Sequence, residues 1–322
     1  MPRRRGARHR QVPVERAMTA AVPAESQRAI GVAGALIAAT LWGTTGTAAT
    51  FAPDVPAVAI GAAAMGIGGL LQALIAIGGI RAGLPLFARH WRVLLVGGLS
   101  VAIYPLAFYA SMRLAGVTIG TVISIGSAPA ISALIENRLD GSRLTTRWAT
   151  GAALGVLGMG LLAIAEGGPA QTTPDVPLGV VLGLVAGASY ALYSWCARRL
   201  MQHGVRNRAA MGATFGLGGA LLMPVLLLTG APFLDSATNL AVGVYMALVP
   251  MFLGYVAFGA ALSRIASSQA TTISLFEPVV AALLAIVIVG ERLPPLGWLG
   301  GCLITACLFW TEMPLPQRWR RV

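Results

Sequence analysis

Apolar stretches of about twenty residues follow one another almost without pause along this chain, each long enough to cross the hydrocarbon core of a membrane as a helix. Breaks at proline, glycine and charged residues divide the sequence into ten such runs. They lie near 30–51, 56–79, 93–112, 116–136, 148–166, 177–198, 208–229, 239–262, 267–289 and 296–312. A soluble α/β domain is excluded, because the runs are too long and too nearly continuous. Only 11% of residues are charged and 57% are hydrophobic, whereas about a quarter of a soluble domain is charged. The 40 glycines suit close packing of membrane helices.

All 23 basic residues are arginine, and the net charge is +12. Such basicity can serve nucleic-acid binding, but here the arginines sit in the short breaks between apolar runs, where they set orientation in the membrane. With the N-terminus in the cytoplasm and ten alternating spans, only Arg113 and Arg292 of the 23 fall on the far side. Removing one span would reverse every later loop and destroy this asymmetry. The expectation is a multi-pass protein of a bacterial inner membrane with both termini cytoplasmic. Residues 1–29 form a disordered tail and 313–322 a basic one. Membrane lipid is the expected surrounding partner, and nucleic acid is not.

Metal, cofactor and covalent chemistry find no support. Cys196, Cys302 and Cys307 lie in apolar runs without CxxC spacing, and the histidines (His9, His90, His203) are far apart in sequence. No HExxH, GxSxG or phosphate-binding loop occurs. A membrane enzyme would need polar catalytic residues clustered at one face, and no such cluster is visible.

The two halves of the chain repeat. IGSAPAISAL (125–134) matches SLFEPVVAAL (274–283) at an offset of 149, which sets Pro129 on Pro278. The same offset carries GSRL (141–144) onto GERL (290–293). Nearby offsets pair Tyr104 with Tyr255 and Trp148 with Trp298. Five spans per half is an odd number, so the second half must be inverted, as in many transporters. The EPVVAALLAIVIVGERL run (277–293), the LWGTTGT segment (41–47) and SYALYSWCARRL (189–200) together resemble EamA-type members of the drug/metabolite transporter superfamily. The resemblance extends over about residues 30–312. It implies two five-helix units, 30–166 and 177–312, around a central cavity, with amino acids, metabolites or drugs as substrates, often exported. The first unit departs from the pattern, with Ala128 where the second has Glu277.

The expected fold is therefore an all-α membrane protein of ten transmembrane helices in two inverted repeats. The expected function is secondary transport of a small organic solute by alternating access, directed outward. Uptake or passive facilitation is the alternative, and a polytopic membrane enzyme stands behind both. Glu277 is the foremost candidate residue. An ionised group so deep in a span costs about 2.5–3.5 kcal/mol to insert, so it carries protons, binds substrate, or stays neutral against backbone freed by Pro278. Pro129 and Pro278 are expected to interrupt their helices. Ser127 and Gln269 lie near those breaks and are candidate polar contacts, or bond back to their own helices. Trp42, Tyr104, Tyr190 and Tyr255 stand inside spans at repeat-related positions and can wall a substrate cavity, whereas Tyr193 and Trp195 carry less weight.

Overall fold

Helices form wherever the sequence is apolar for long enough, because lipid leaves no other way to satisfy the backbone. The computed structural model describes residues 24–166, 175–290 and 292–312. Ten long helices run through them, besides two six-residue helices (Ile77–Ala82 and Leu84–Arg89) that join the second to the third: α1 (Ala24–Ala49), α2 (Ala57–Ile75), α3 (Trp91–Ala115), α4 (Val117–Asp140) and α5 (Thr146–Glu166). The second half has α6 (Val176–Gln202), α7 (Asn207–Thr229), α8 (Ala237–Leu262), α9 (Ser267–Val289) and α10 (Pro295–Glu312). Nine of these are long and apolar enough to cross a membrane by length and composition. The 18-residue α10 packs along α5 and completes the set. Leu227, Leu228, Leu234 and Val287, each at least 80% exposed, lie on an outer surface that suits lipid rather than water.

The first helix begins at Ala24, earlier than expected, so Arg28 belongs to it rather than to a disordered tail. Arg28 donates to Glu312 Oε2 at 3.1 Å, joining the start of α1 to the end of α10. Both ends of the helical bundle therefore lie on one face, which we call the terminal face. The proposed tails at 1–23 and 313–322 lie outside the described residues.

The packing obeys an exchange of halves. α3 packs on α6 and α1 on α8; α4 packs on α6 and α1 on α9; α3 packs on α7 and α2 on α8. Two pairs map onto themselves, α2 with α7 and α5 with α10. These self-paired helices are antiparallel. Gly66 meets Gly219 while Ala76 meets Gly212, and Gly151 meets Thr311 while Gly158 meets Gly300. A two-fold axis in the membrane plane requires this antiparallel crossing, and an axis along the membrane normal forbids it. α6 also runs parallel to α4 and antiparallel to α3: Gly97 lies by Cys196, Gly183 by Ser111 and Ile123, Gly187 by Ser124. The second half is thus inverted relative to the first. Matching left-handed glycines end α4 and α9, Gly141 at φ 69° and Gly290 at φ 81°, as the GSRL and GERL match predicts.

The two aligned prolines behave differently. In α9, Pro278 lacks the N–H that would reach Ser274 O four residues back. The Glu277 N–H takes that carbonyl instead, closing a 3₁₀ turn over Ser274–Phe276. Pro129, by contrast, lies in a helix that runs unbroken from Val117 to Asp140, which corrects the expected interruption there. The missing N–H of Pro129 costs one bond, and neighbouring helices let a membrane helix absorb it; Pro105 and Pro224 are absorbed likewise.

Candidate functional site

The Trp42-Gly43 pair in α1 divides two tasks. Gly43 lets α9 approach so closely that a Cβ there would stand 2.8 Å from Glu277 O and 2.6 Å from Val280 Cβ. Trp42 turns into the bundle, 4% exposed, and donates its indole N–H to Pro250 O at 3.0 Å. That carbonyl belongs to a wide π-helical turn of α8, Ala247–Leu253, a form that often accompanies function. The Trp42 ring lies 4.8 Å from Tyr255, 5.1 Å from Phe258 and 6.2 Å from Tyr190.

Around it closes a cavity of about 90 Å³, lined by Trp42, Tyr104, Tyr109, Tyr190, Tyr193, Tyr255 and Glu277 among others. The structure thus brings together five of the residues singled out by sequence, Glu277, Trp42, Tyr104, Tyr190 and Tyr255. Three of the tyrosines have their hydroxyls engaged: Tyr190 donates to Ser274 Oγ at 2.8 Å, and Tyr193 and Tyr255 share a bond of 2.8 Å. The side chains of Tyr104, Tyr109 and the half-buried Glu277 make no hydrogen bond within the described residues. Three polar groups are therefore free to engage whatever enters, and no lining residue is cationic. The aromatic faces attract cations, as does a carboxylate, so the cavity is chemically suited to an ammonium group.

Thr45, Gly61, Tyr109 and Met246 extend the lining toward the face opposite the termini. On the terminal side, Tyr193, Phe215 and Phe258 stack beneath the cavity and are at most 1% exposed. With a volume well under the ~300–1,000 Å³ of a typical ligand pocket, the cavity is in a narrow state.

Ser127 and Gln269 are not in the cavity. Ser127 lies against Gly187 of α6 with its hydroxyl unpartnered, in the α4–α6 packing that the exchange of halves relates to α1 on α9. Gln269 donates to Glu312 Oε2 at 2.6 Å, on the terminal face. Ala128, aligned with Glu277, is fully buried, so the cavity holds a carboxylate from the second half alone.

Sequence reasoning passed over Glu136. This residue of α4 is 5% exposed and accepts from Ser267 N and Oγ at 2.7 Å each, from Ser268 Oγ at 2.5 Å and from Ser268 N at 3.4 Å. A negative charge thus caps the positive end of α9. From α6, Arg198 donates to the carbonyls of Leu262 and Ile265 at the negative end of α8. The turn between α8 and α9 is held from both sides, sealing the terminal face below the aromatic layer. The available signal was the Ser267-Ser268 pair at the start of a span, whose first-turn N–H groups and hydroxyls are donors in need of an acceptor.

A multi-pass membrane protein of two inverted five-helix halves around an aromatic, singly acidic cavity belongs to the transporter class. The chain is a member of the EamA-like transporter family, whose model matches residues 29–164 and 177–313. It is 32% identical over 266 residues to the uncharacterized transporter YwfM of Bacillus subtilis (strain 168), an alignment covering 82% of this chain and 88% of that one. It is 26% identical over 278 residues to a probable terminal-alkyne amino-acid exporter of Streptantibioticus cattleyicolor, covering 82% and 90%. A probable amino-acid metabolite efflux pump of Escherichia coli (strain K12) is 29% identical over 192 residues, 56% of this chain and 62% of that one. One solved crystal structure aligns with a TM-score of 0.73 over 89% of this chain and 96% of its own, at 20% identity; that likeness is one of fold.

Proposed function

We propose that this protein exports a small amino-bearing organic solute, of amino-acid type, in exchange for protons, and that Glu277 is the proton carrier. The observation that carries the reading is the single unbonded carboxylate in an aromatic cavity with no cationic side chain. Glu277 alternately holds a proton and the ammonium group of the solute, so the two occupy one site in turn. Trp42, Tyr104, Tyr190 and Tyr255 supply the ring faces, and the hydroxyls of Tyr104 and Tyr109 supply hydrogen bonds. Relatives named as amino-acid exporters support the substrate class and the outward direction.

Sidedness follows from the arginines. Placing the terminal face in the cytoplasm of the inner membrane sets the cavity toward the periplasm, with Glu136, Arg198 and the aromatic layer closing the cytoplasmic route. Export then requires that this seal open and the cavity widen, the alternating access that inverted halves make possible.

The test is flux in proteoliposomes under an imposed pH gradient, with a panel of amino acids, amines and carboxylates lacking an amino group. Acid outside should drive amino-bearing solutes outward, and the carboxylate controls should not move. Gradient-independent flux would make the protein a passive facilitator, and movement of the amine-free carboxylates would remove the ammonium reading.

A further inference from the structure

At the terminal face, the end of α2, the start of α7 and the end of α8 surround a second cavity of about 210 Å³. Unlike the clefts that face lipid, it is polar. Gln72, Asn207, Arg208 and Arg264 line it, and no carboxylate does. Gln72 is 2% exposed, yet its amide nitrogen has no hydrogen-bond partner. A half-turn of the amide exchanges its nitrogen and oxygen, so either atom can face the cavity. A buried donor without an acceptor is costly, and an anion in the cavity would relieve it.

Three further features point the same way. α7 starts here with no side-chain cap, leaving first-turn N–H groups and the positive end of the helix dipole. Arg264 is held in place by Gln27 Oε1 at 3.0 Å, Ala260 O at 2.8 Å and Ser263 Oγ at 2.9 Å, bonds that leave its Nη2 free. Arg208 makes no ion pair among the described residues.

We propose that this cavity binds a phosphate group, carried by the headgroup of an anionic phospholipid. The rim decides the source. Ile75 is 53% exposed, and Leu74 and Ile77 beside it are also exposed, so an apolar track leads from the phosphate site along the outer surface of α2, where an acyl chain can lie. Basic pockets between membrane helices near the leaflet surface recognise lipid headgroups in this manner.

Native mass spectrometry of the full-length protein, titrated with dioctanoyl phosphatidylglycerol, dioctanoyl phosphatidylcholine or inorganic phosphate, tests the site. The wild type should retain phosphatidylglycerol in preference to phosphatidylcholine. Arg208→Ala with Arg264→Ala should weaken that binding on the order of thirtyfold, as expected for two basic groups near a membrane surface. Gln72→Leu should weaken it several-fold. Arg81→Ala with Arg89→Ala, on the same face but outside the cavity, should leave it unchanged. Equal binding by wild type and the Arg208/Arg264 variant would overturn the site. So would equal loss in both double variants, which would mark diffuse attraction. Displacement of the lipid by an equal concentration of inorganic phosphate would overturn the lipid source.

Discussion

Glu136 accepts from four donors and Glu277 from none, although both carboxylates sit on membrane helices. Their replacements should therefore fail in different ways. Glu277→Gln removes a proton site and keeps the size, so the protein should fold with an unchanged melting temperature while its transport loses pH dependence. A wild-type pH profile in that variant would return Glu277 to a structural role at the Pro278 turn. Glu136→Ala leaves buried donors on Ser267 and Ser268 without an acceptor, at about 1–3 kcal/mol for each that stays unsatisfied. Thermal unfolding in detergent should show a clear loss of stability, and Glu136→Gln, which still accepts, should recover part of it. Equal melting of Glu136→Ala and wild type would mean that the cap carries no weight. Glu277 was legible in the sequence because a charge in the middle of an apolar run is conspicuous. Glu136 was not, because a charge near a span end is ordinary and its serine partners lie 131 residues away.

Helix boundaries were legible to within about one turn, apart from the start of α1, which lies earlier than expected at Ala24, since a membrane helix must be apolar over a fixed length and ends where that stops. What packs on what was not. Gly300 and Gly301 are neighbours in one apolar run, and nothing in the sequence distinguishes them. In the bundle, a Cβ on Gly300 would stand 2.5 Å from Gly158 O and 2.6 Å from Leu162 N, whereas a Cβ on Gly301 meets nothing within 4 Å. Backbone atoms of α5 cannot turn aside as a flexible side chain can. Gly300→Ala should therefore force α5 and α10 apart at a cost of about 1–3 kcal/mol, the usual range for overpacking. Gly301→Ala should be neutral or slightly stabilising by its better helix propensity. Melting temperatures of the two variants check this, and a reversed order would refute the α5–α10 crossing. The prolines make a similar point, for Pro129 and Pro278 align in sequence but only Pro278 breaks its helix.

At the scale of the molecule, the exchange of halves constrains what the second conformation can be. Both ends of the described helical bundle share a face, and we propose, from the arginine asymmetry, that this face is cytoplasmic. Reporter fusions at residues 1 and 322 should accordingly both report cytoplasm; a periplasmic signal at one end alone would mean that the spans are miscounted, and at both ends would invert the proposed direction of access. In the present state the terminal face is shut where α4 meets the start of α9, through Glu136 and the Ser267-Ser268 pair, while the cavity extends toward the opposite face. Alternating access requires that this contact part. In a background without Cys196, Cys302 and Cys307, Glu136→Cys with Ser268→Cys should accept a short bifunctional thiol cross-linker that fixes α4 to α9. A third cysteine, Thr45→Cys, protected by a reversible disulfide during the cross-linking and then released, reports on the cavity. Cross-linking should abolish flux, yet Thr45→Cys should still react with a membrane-impermeant thiol reagent supplied from the periplasmic side. A reducible linker should restore flux when cleaved. Full flux in the cross-linked protein would show that the solute passes without opening this face, and the alternating-access reading would fall.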